Sequence, residues 1–159
     1  MEKILRKKLP GGKFRNVSLQ HRKMMQGVRG RGNLTTEARL RGGLVNAGVN
    51  GWQIHNNLLK GTPDFYFPRE NIAIFVDGCF WHGCPICGHV PKKNSSFWQM
   101  KIIRNKVRDE KTNKFLRSHG TSVIRFWEHE LADSLSRCVE KVIRIQKIKQ
   151  SKNNLHKIR

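Results

Sequence analysis

The chain has 159 residues, enough for one ordinary domain, and its 32 lysines and arginines against 11 aspartates and glutamates give a net charge of +21. Such a charge opposes compaction unless a polyanion neutralises it, so nucleic acid is the expected partner. A membrane partner is not expected, because the sequence has no long apolar segment and no signal-peptide pattern. We therefore expect a cytoplasmic protein with reduced thiols, whose four cysteines are metal ligands or core residues rather than disulfides.

The first part of the chain is rich in Lys, Arg and Gly. We predict a basic flexible arm over residues 1–20, a folded domain over residues 21–146 and a basic tail over residues 147–159. The stretch HRKMMQGVRGRGN extends the basic segment to Asn33 and indicates DNA contact, with a solubilising tail as the alternative. Its candidate contact residues are Met24, Met25, Arg29 and Arg31.

The first predicted helix lies in TTEARLRGGLVNAG. Thr36 is a typical N-cap, Glu37 suits the positive end of the helix, and Gly48 is a typical stop. Apolar residues recur on one face, and Gly42 and Gly43 weaken the pattern. The expected apolar face consists of Ala38, Leu40, Leu44, Val45 and Ala47.

Three strand-like segments follow. WQIHNNLL is the first, and the aromatic FYF of GTPDFYF is the second. PREN predicts a turn, after which IAIFV is a continuous apolar run typical of a central strand buried on both faces.

Helical periodicity then predicts a long polar helix from Ser95 to His119, closed by Gly120. SVIRFW is the next strand, and EHELADSLSRCVEKVIRIQKI is predicted as one final helix. Its expected apolar face consists of Leu131, Leu135, Val139, Val142 and Ile143. This order of elements predicts an α/β fold with a mixed central sheet flanked by helices.

Three cysteines follow the apolar strand in FVDGCFWHGCPIC. Cys79, Cys84 and Cys87 have the spacing C-x4-C-x2-C, which is typical of a thiolate knuckle for tetrahedral zinc. A thiolate-rich set favours a closed structural site over a catalytic zinc with an open position. On spacing, the possible fourth ligands are His82, His89, His129 and Cys138.

Two acids lie at opposite ends of a predicted hairpin. Asp64 precedes FYF and Asp77 follows IAIFV, so both would lie near one strand junction. Carboxylates there can bind Mg²⁺ beside a basic surface, as a metal-dependent nuclease requires. The alternative is that both acids are ordinary turn and cap residues. Further residues that could join the site are Glu37, His82 as a proton-transfer group, and Asp109.

Taken together, these segments resemble the very short patch repair (Vsr) endonucleases of the restriction-endonuclease-like superfamily. The matching pieces are TTEARL, LLKGTPDFYFP, IAIFVDGCFWHGC, SSFWQMKIIRNKVRD and SVIRFWEHEL. They extend from about Arg22 to Leu131, and GCFWHGC is the most specific of them.

The resemblance implies a Mg²⁺-dependent endonuclease. Asp64 and the backbone carbonyl of Val76 would bind Mg²⁺, with Glu37 acting through water around the ion. His82 would help to activate the attacking water, oriented by Asp109. The implied reaction is a nick in one strand, 5′ to the thymine of a T·G mismatch in double-stranded DNA.

The resemblance also assigns the cysteines and the aromatic residues. A structural Zn²⁺ would be held by Cys79, Cys84, Cys87 and His129. The side chains implied to wedge into the base stack are Phe80, Trp81 and Trp98.

The sequence departs from the best-known members of the family. Val76 replaces a threonine, and Asp77 replaces a histidine, so Asp77 is either an extra metal ligand or structural. The zinc set is richer in cysteine, and the loops that read one methylation-site context have no match. A nuclease that cuts matched DNA, or a zinc-stabilised DNA-binding module without catalysis, therefore stays an alternative. We expect a nucleoid-associated monomer, with mismatch-repair proteins as candidate partners.

Overall fold

A computed structural model of the protein describes residues 36–157, with side chains through residue 154. The elements in chain order are α1 (Glu37–Asn46), β1 (Gln53–Ile54), β2 (Phe65–Phe67), β3 (Ile72–Asp77), α2 (Cys79–His82), α3 (Ser95–Ser118), β4 (Ser122–Trp127), α4 (Glu128–Asp133) and α5 (Leu135–Lys157). No helix in this part of the chain is both long enough and apolar enough to span a membrane.

The four strands form one mixed sheet in the order β1-β2-β3-β4. The pairs β1–β2 and β2–β3 are antiparallel, whereas β3 and β4 are parallel and in register from Ile72–Ser122 to Asp77–Trp127. The predicted α/β architecture is therefore confirmed, and β3 is the buried strand that the apolar run predicted. Because β3 and β4 are parallel, their carboxyl ends lie at the same edge of the sheet.

The main core lies between the sheet and helices α1, α4 and α5. Leu40 and Leu44 of α1 are fully buried, whereas Val45 is 57% exposed, so the buried face of α1 is narrower than predicted. Gly43 explains the close approach, because a Cβ atom there would lie 2.9 Å from Val139 Cγ2 on α5. Thr36 lies at the predicted N-cap position, but its side chain makes no capping hydrogen bond.

The first strand is shorter than WQIHNNLL predicted. His55 follows Ile54 with φ of 48°, which turns the chain out of the sheet. Asn56 then accepts a hydrogen bond from the Leu58 amide at 3.0 Å, a turn that competes with continued strand.

The final helix is divided, which the periodicity did not predict. Ser134 has φ of −147° between α4 and α5, and its carbonyl accepts the amide of Cys138 at 3.2 Å. The predicted apolar positions still pack against the core. The boundary predicted at residue 146 falls inside α5, where Gln150 donates to the buried Glu70 at 2.7 Å.

Candidate active site and metal centre

The two strand-end acids lie close together, as the hairpin predicted. Asp64 immediately precedes β2, and its Oδ2 accepts the backbone N–H of Val76 on β3 at 2.7 Å. This contact fixes the carboxylate of Asp64 beside the backbone at the end of β3. The Val76 carbonyl, which the resemblance implied as a Mg²⁺ ligand, belongs to the same residue as this N–H group.

Burial raises the pKa of Asp64 from 3.8 to about 7. The Val76 hydrogen bond opposes this rise, and the negative charges of Glu37 and Asp77 add to it. A buried carboxyl group that resists ionisation gains from a cation beside it, since the cation favours the charged form. This behaviour fits a metal ligand, although structural carboxyl groups can also have perturbed pKa values.

A histidine that the sequence analysis did not assign lies beside the first acid pair. His55 Nε2 is 3.3 Å from Glu37 Oε2, and the His55 amide donates to the Asp64 carbonyl at 3.2 Å. One ligand atom from each of Glu37, His55 and Asp64 falls within 4.8 Å of the others, so the three could hold a cation. The sequence WQIHNNLL predicted a strand through His55, and only the Asn-Asn pair that follows indicates the turn there.

His82 and Asp109 form the pair that the resemblance implied. His82 ends the short helix α2, and its Nδ1 lies 2.6 Å from Asp109 Oδ2 on α3. Asn105 of α3 donates to the Trp81 carbonyl at 2.8 Å, which fixes α2 against α3. Although partial burial opposes ionisation of Asp109, the hydrogen bond to His82 lowers the pKa of this carboxyl group. The imidazole is therefore oriented by a carboxylate.

Asp77 has a partner that the sequence did not reveal. Arg125 of β4 donates from Nε to Asp77 Oδ2 at 2.6 Å and from Nη2 to Asp77 Oδ1 at 2.5 Å. Asp77 is 4% exposed, and its Oδ1 also lies 3.4 Å from His82 Nδ1. Of the two roles left open for Asp77, this geometry favours the structural one, because both of its oxygens are occupied by the guanidinium.

Glu37, Asp64, Val76, His82 and Asp109 line one open cleft together with His55, Asp77 and Arg125. The structure therefore brings five predicted residues to one cleft from four elements, α1, β3, α2 and α3, and one loop. His55 and Arg125 were missed, because each acts through contacts between segments far apart in the chain.

The three knuckle cysteines meet His129 at the start of α4. His129 Nδ1 lies 3.3, 3.6 and 3.5 Å from the sulfur atoms of Cys79, Cys84 and Cys87. Nitrogen and sulfur ligands on one tetrahedral zinc lie about 3.5 Å apart, so this donor set fits the ion. Among the alternatives, Cys138 instead packs in the main core.

The backbone of the knuckle favours ionisation of one thiol. Although burial opposes the charge, N–H groups of the knuckle, those of Cys87 and Ile86, lower the pKa of Cys84 to about 7. Amides directed at a sulfur atom are typical of a loop that presents thiolates to a metal. The Cys₃His set is therefore a possible metal site by both distance and chemistry.

Phe80, Trp81 and Trp98 form one half-buried aromatic cluster, outside both apolar cores. The ring centroid of Phe80 lies 4.9 Å from that of Trp81 and 5.3 Å from that of Trp98, and both contacts are edge to face. Lys101 Nζ lies 5.0 Å from the Trp81 ring centroid. Phe80 and Trp81 share the short helix α2 with His82, whereas Trp98 belongs to α3. The predicted DNA contacts at Met24, Met25, Arg29 and Arg31 lie outside the described residues.

Fold and site together define a nuclease of the restriction-endonuclease-like class. A family model described as DNA mismatch endonuclease Vsr matches residues 17–87. The chain belongs to this Vsr family of endonucleases, as a long match to a family relative also shows.

Relatives match different shares of the chain. Type II nicking enzyme V.XorIIP of Xanthomonas oryzae pv. oryzae is 38% identical over 116 residues, which cover 72% of this chain and 83% of that protein. Type II nicking enzyme V.NaeI of Lentzea aerocolonigenes is 42% identical over 83 residues, 52% of this chain and 50% of that protein. DNA mismatch endonuclease Vsr of Escherichia coli strain K12 is 34% identical over 94 residues, covering 58% and 59%. The chain thus spans about half the length of V.NaeI but most of V.XorIIP.

Proposed function

We propose that this protein nicks one strand of double-stranded DNA, 5′ to the thymine of a T·G mismatch, as the first step of very short patch repair. The observation that supports this most directly is the cleft in which Asp64 and Val76 lie beside the hydrogen-bonded pair His82–Asp109. Such a cleft has oxygen ligands for a divalent cation and an oriented imidazole for proton transfer.

The cation we propose is Mg²⁺, held by the Asp64 carboxylate and the Val76 carbonyl, with Glu37 contacting it through water. These are hard oxygen donors of the kind that Mg²⁺ prefers. Bound Mg²⁺ would supply charge stabilisation at the phosphate and orient the reacting groups. We assign Zn²⁺ to Cys79, Cys84, Cys87 and His129, where it would be structural.

The Nδ1 atom of His82 is hydrogen-bonded to Asp109, which leaves Nε2 to accept a proton. His82 would therefore take the proton of the attacking water at Nε2. The water oxygen forms a bond to phosphorus as the bond from phosphorus to the 3′ oxygen breaks. The departing oxygen takes up a proton, leaving a 3′ hydroxyl and a 5′ phosphate.

Mismatch selection would depend on the cluster of Phe80, Trp81 and Trp98. Inserting aromatic side chains between bases costs unstacking energy, which is smallest where pairing is already defective. The three half-buried rings contact one another edge to face, which supports a role as such a wedge. Mismatched DNA should therefore be cut in preference to matched DNA.

We place the protein at the nucleoid in the cytoplasm, where DNA is available and thiols stay reduced. A monomer is the proposed oligomeric state. Mismatch-repair proteins are the proposed partners beyond DNA. The net charge of +21 on this protein supports DNA as its main partner.

The test uses end-labelled duplexes that differ at one base pair, either T·G, T·A or C·G, with each strand labelled in turn. We expect Mg²⁺-dependent cleavage of the thymine strand of the T·G duplex alone, with a ligatable 5′ phosphate. Varied flanking bases in the same assay give the sequence context.

Two other outcomes would contradict the proposal. Equal cutting of all duplexes would indicate a nuclease for matched DNA, an activity that also agrees with the description of V.NaeI and V.XorIIP as nicking enzymes. Binding without cleavage, unchanged by Asp64→Asn, would indicate a DNA-binding module.

A further inference from the structure

We propose that Arg125 is a positioning residue whose guanidinium takes the place of a second cation among Asp77, His82 and Asp109. This inference rests on the proposed function, in which His82 transfers a proton beside a Mg²⁺ site at Asp64. A divalent cation would then bind only at Asp64, and the group of Asp77, His82 and Asp109 would bind none.

Asp77, His82 and Asp109 form a group that resembles a metal site. One ligand atom from each residue falls within 4.8 Å of the others. His82 Nδ1 lies 2.6 Å from Asp109 Oδ2 and 3.4 Å from Asp77 Oδ1. Two carboxylates converging on one imidazole require positive charge nearby, and either a metal ion or a basic side chain can supply it.

Arg125 supplies that charge with fixed geometry. Its two hydrogen bonds to Asp77 are bidentate, and its Nη2 also lies 3.5 Å from Asp109 Oδ1. A planar guanidinium matches both oxygens of a carboxylate, which leaves Asp77 poorly available to another cation. The arginine therefore pairs directly with Asp77 and also places its positive charge close to Asp109.

Other contacts hold the guanidinium where it is. Arg125 lies over the Phe75 ring at 4.7 Å from its centroid, and Nη1 donates to Asn113 Oδ1 at 3.1 Å. Arg125 is paired with Phe75 in the register of β3 and β4. Asp77 lies two residues after Phe75 on the same face of β3, within reach of the Arg125 side chain. The Arg125 side chain is only 20% exposed. The guanidinium is therefore contacted by Phe75, Asn113 and Asp77.

The consequence for His82 is a defined orientation. With both Asp77 oxygens engaged by Arg125, Asp109 is the closer and freer acceptor for the Nδ1–H of His82. Removing Arg125 would release Asp77, so the two acids would compete for the imidazole and for any available divalent cation.

The experiment counts Mn²⁺ ions bound to zinc-loaded protein without DNA, using Arg125→Gln and wild type side by side. We expect the variant to bind one more Mn²⁺ than the wild type, and Asp77→Asn/Arg125→Gln to lose that extra ion. Arg108→Gln is the matched control, because Arg108 also contacts Asp109 at 3.2 Å but is 61% exposed. Its Mn²⁺ count should equal that of the wild type.

Cleavage provides the second measurement. Arg125→Gln should cut T·G duplex about 10- to 100-fold more slowly with unchanged DNA affinity, since a displaced imidazole affects the reaction and not binding. Arg125→Lys restores the charge without the bidentate geometry, so we expect the wild-type Mn²⁺ count and a partial recovery of rate. A purely structural role for Arg125 predicts loss of affinity and rate together.

Asp77→Asn with Arg125 intact keeps the proposal testable even if Arg125→Gln does not fold. We expect this single variant to bind as many Mn²⁺ ions as the wild type. Loss of an ion in Asp77→Asn, or no additional ion in folded Arg125→Gln, would overturn the inference. Because Mn²⁺ binding is measured without DNA, the ion count can still be interpreted if the proposed cleavage activity is wrong.

Discussion

Asp64, the proposed Mg²⁺ ligand, also lowers the stability of the folded protein when it is ionised. Its folded-state pKa of about 7 lies above the value of 3.8 expected in the unfolded chain. Because the native state holds this proton more tightly than the unfolded chain does, stability is highest below pH 3.8 and falls as the pH rises from there through 7. The ionised side chain should therefore destabilise the metal-free protein at alkaline pH.

Asp64→Asn should remove this cost while abolishing cleavage. In Mg²⁺-free buffer at pH 8, we expect the free energy of unfolding to rise by up to roughly 4 kcal/mol, with a smaller gain at pH 5. Urea unfolding at both pH values measures it. Asp133→Asn, at an exposed position, is the control and should change little. A gain that grows towards acid pH would contradict the explanation.

Asp109→Asn tests the orientation of His82. An amide can donate as well as accept, so it no longer selects the imidazole tautomer with its proton on Nδ1. We expect single-turnover cleavage to fall about 10²- to 10⁴-fold, with DNA affinity retained. Glu110→Gln is the neighbouring control, because Glu110 is 66% exposed and pairs with Lys114. Equal effects of the two substitutions would exclude a specific role for Asp109.

At the residue scale, the sequence predicted the side chains that carry a motif and missed those that depend on tertiary contacts. Asp64 follows Gly-Thr-Pro, and His82 lies within a cysteine-rich loop, so local pattern identified both. Arg125 is a partly buried residue of β4, and it reaches Asp77 only because β4 lies in register with β3. His55 lies in a turn produced by its own positive φ, which the neighbouring Asn-Asn pair could have indicated.

At the scale of elements, α1 and α5 approach closely at one glycine. Gly43→Ala would place a Cβ atom 2.9 Å from Val139 Cγ2, whereas Gly42→Ala meets nothing within 4 Å. We expect Gly42→Ala to stabilise the protein by up to about 1 kcal/mol through helix propensity. Gly43→Ala should destabilise it by about 1–2 kcal/mol through overpacking. Thermal unfolding of the two variants compares them, and equal stability would contradict the predicted contact.

The proposed zinc site would join α2 to α4 and should stabilise the segment that contains His82. Cys84→Ala should lose the bound zinc, lower the melting temperature and reduce cleavage, because the ligand set is then incomplete. Cys138→Ala is the matched control, since Cys138 is a buried cysteine of the core. Zinc content, thermal unfolding and cleavage are measured for both. Zinc retained at full stoichiometry in Cys84→Ala would reject the assignment.

The sequence also predicted most elements, because buried strands and amphipathic helices carry their own periodicity. The break between α4 and α5 was missed, since both helices have helix-forming residues and one shared apolar face. Asp133-Ser134 is the local signal, because serine commonly begins a helix. The short helix α2 has no periodicity to detect over four residues.

For the whole molecule, charge should dominate binding to DNA. With a net charge of +21, we expect the logarithm of the dissociation constant to rise linearly with the logarithm of salt concentration. The slope should be about 0.9 for each phosphate contacted. Fluorescence anisotropy with Asp64→Asn avoids cleavage during the titration. A flat response between 50 and 200 mM salt, the range where such contacts weaken most, would contradict electrostatic binding.

The chain order of the Cys₃His ligands has a consequence for assembly. Cys79, Cys84 and Cys87 lie together, but His129 comes 42 residues after Cys87. During synthesis the three thiols are therefore made first, and the fourth donor reaches them once β4 has paired with β3. Contacts of such separation form late because the intervening loop must close. Metal uptake by the newly made chain would thus report the moment when the sheet is complete.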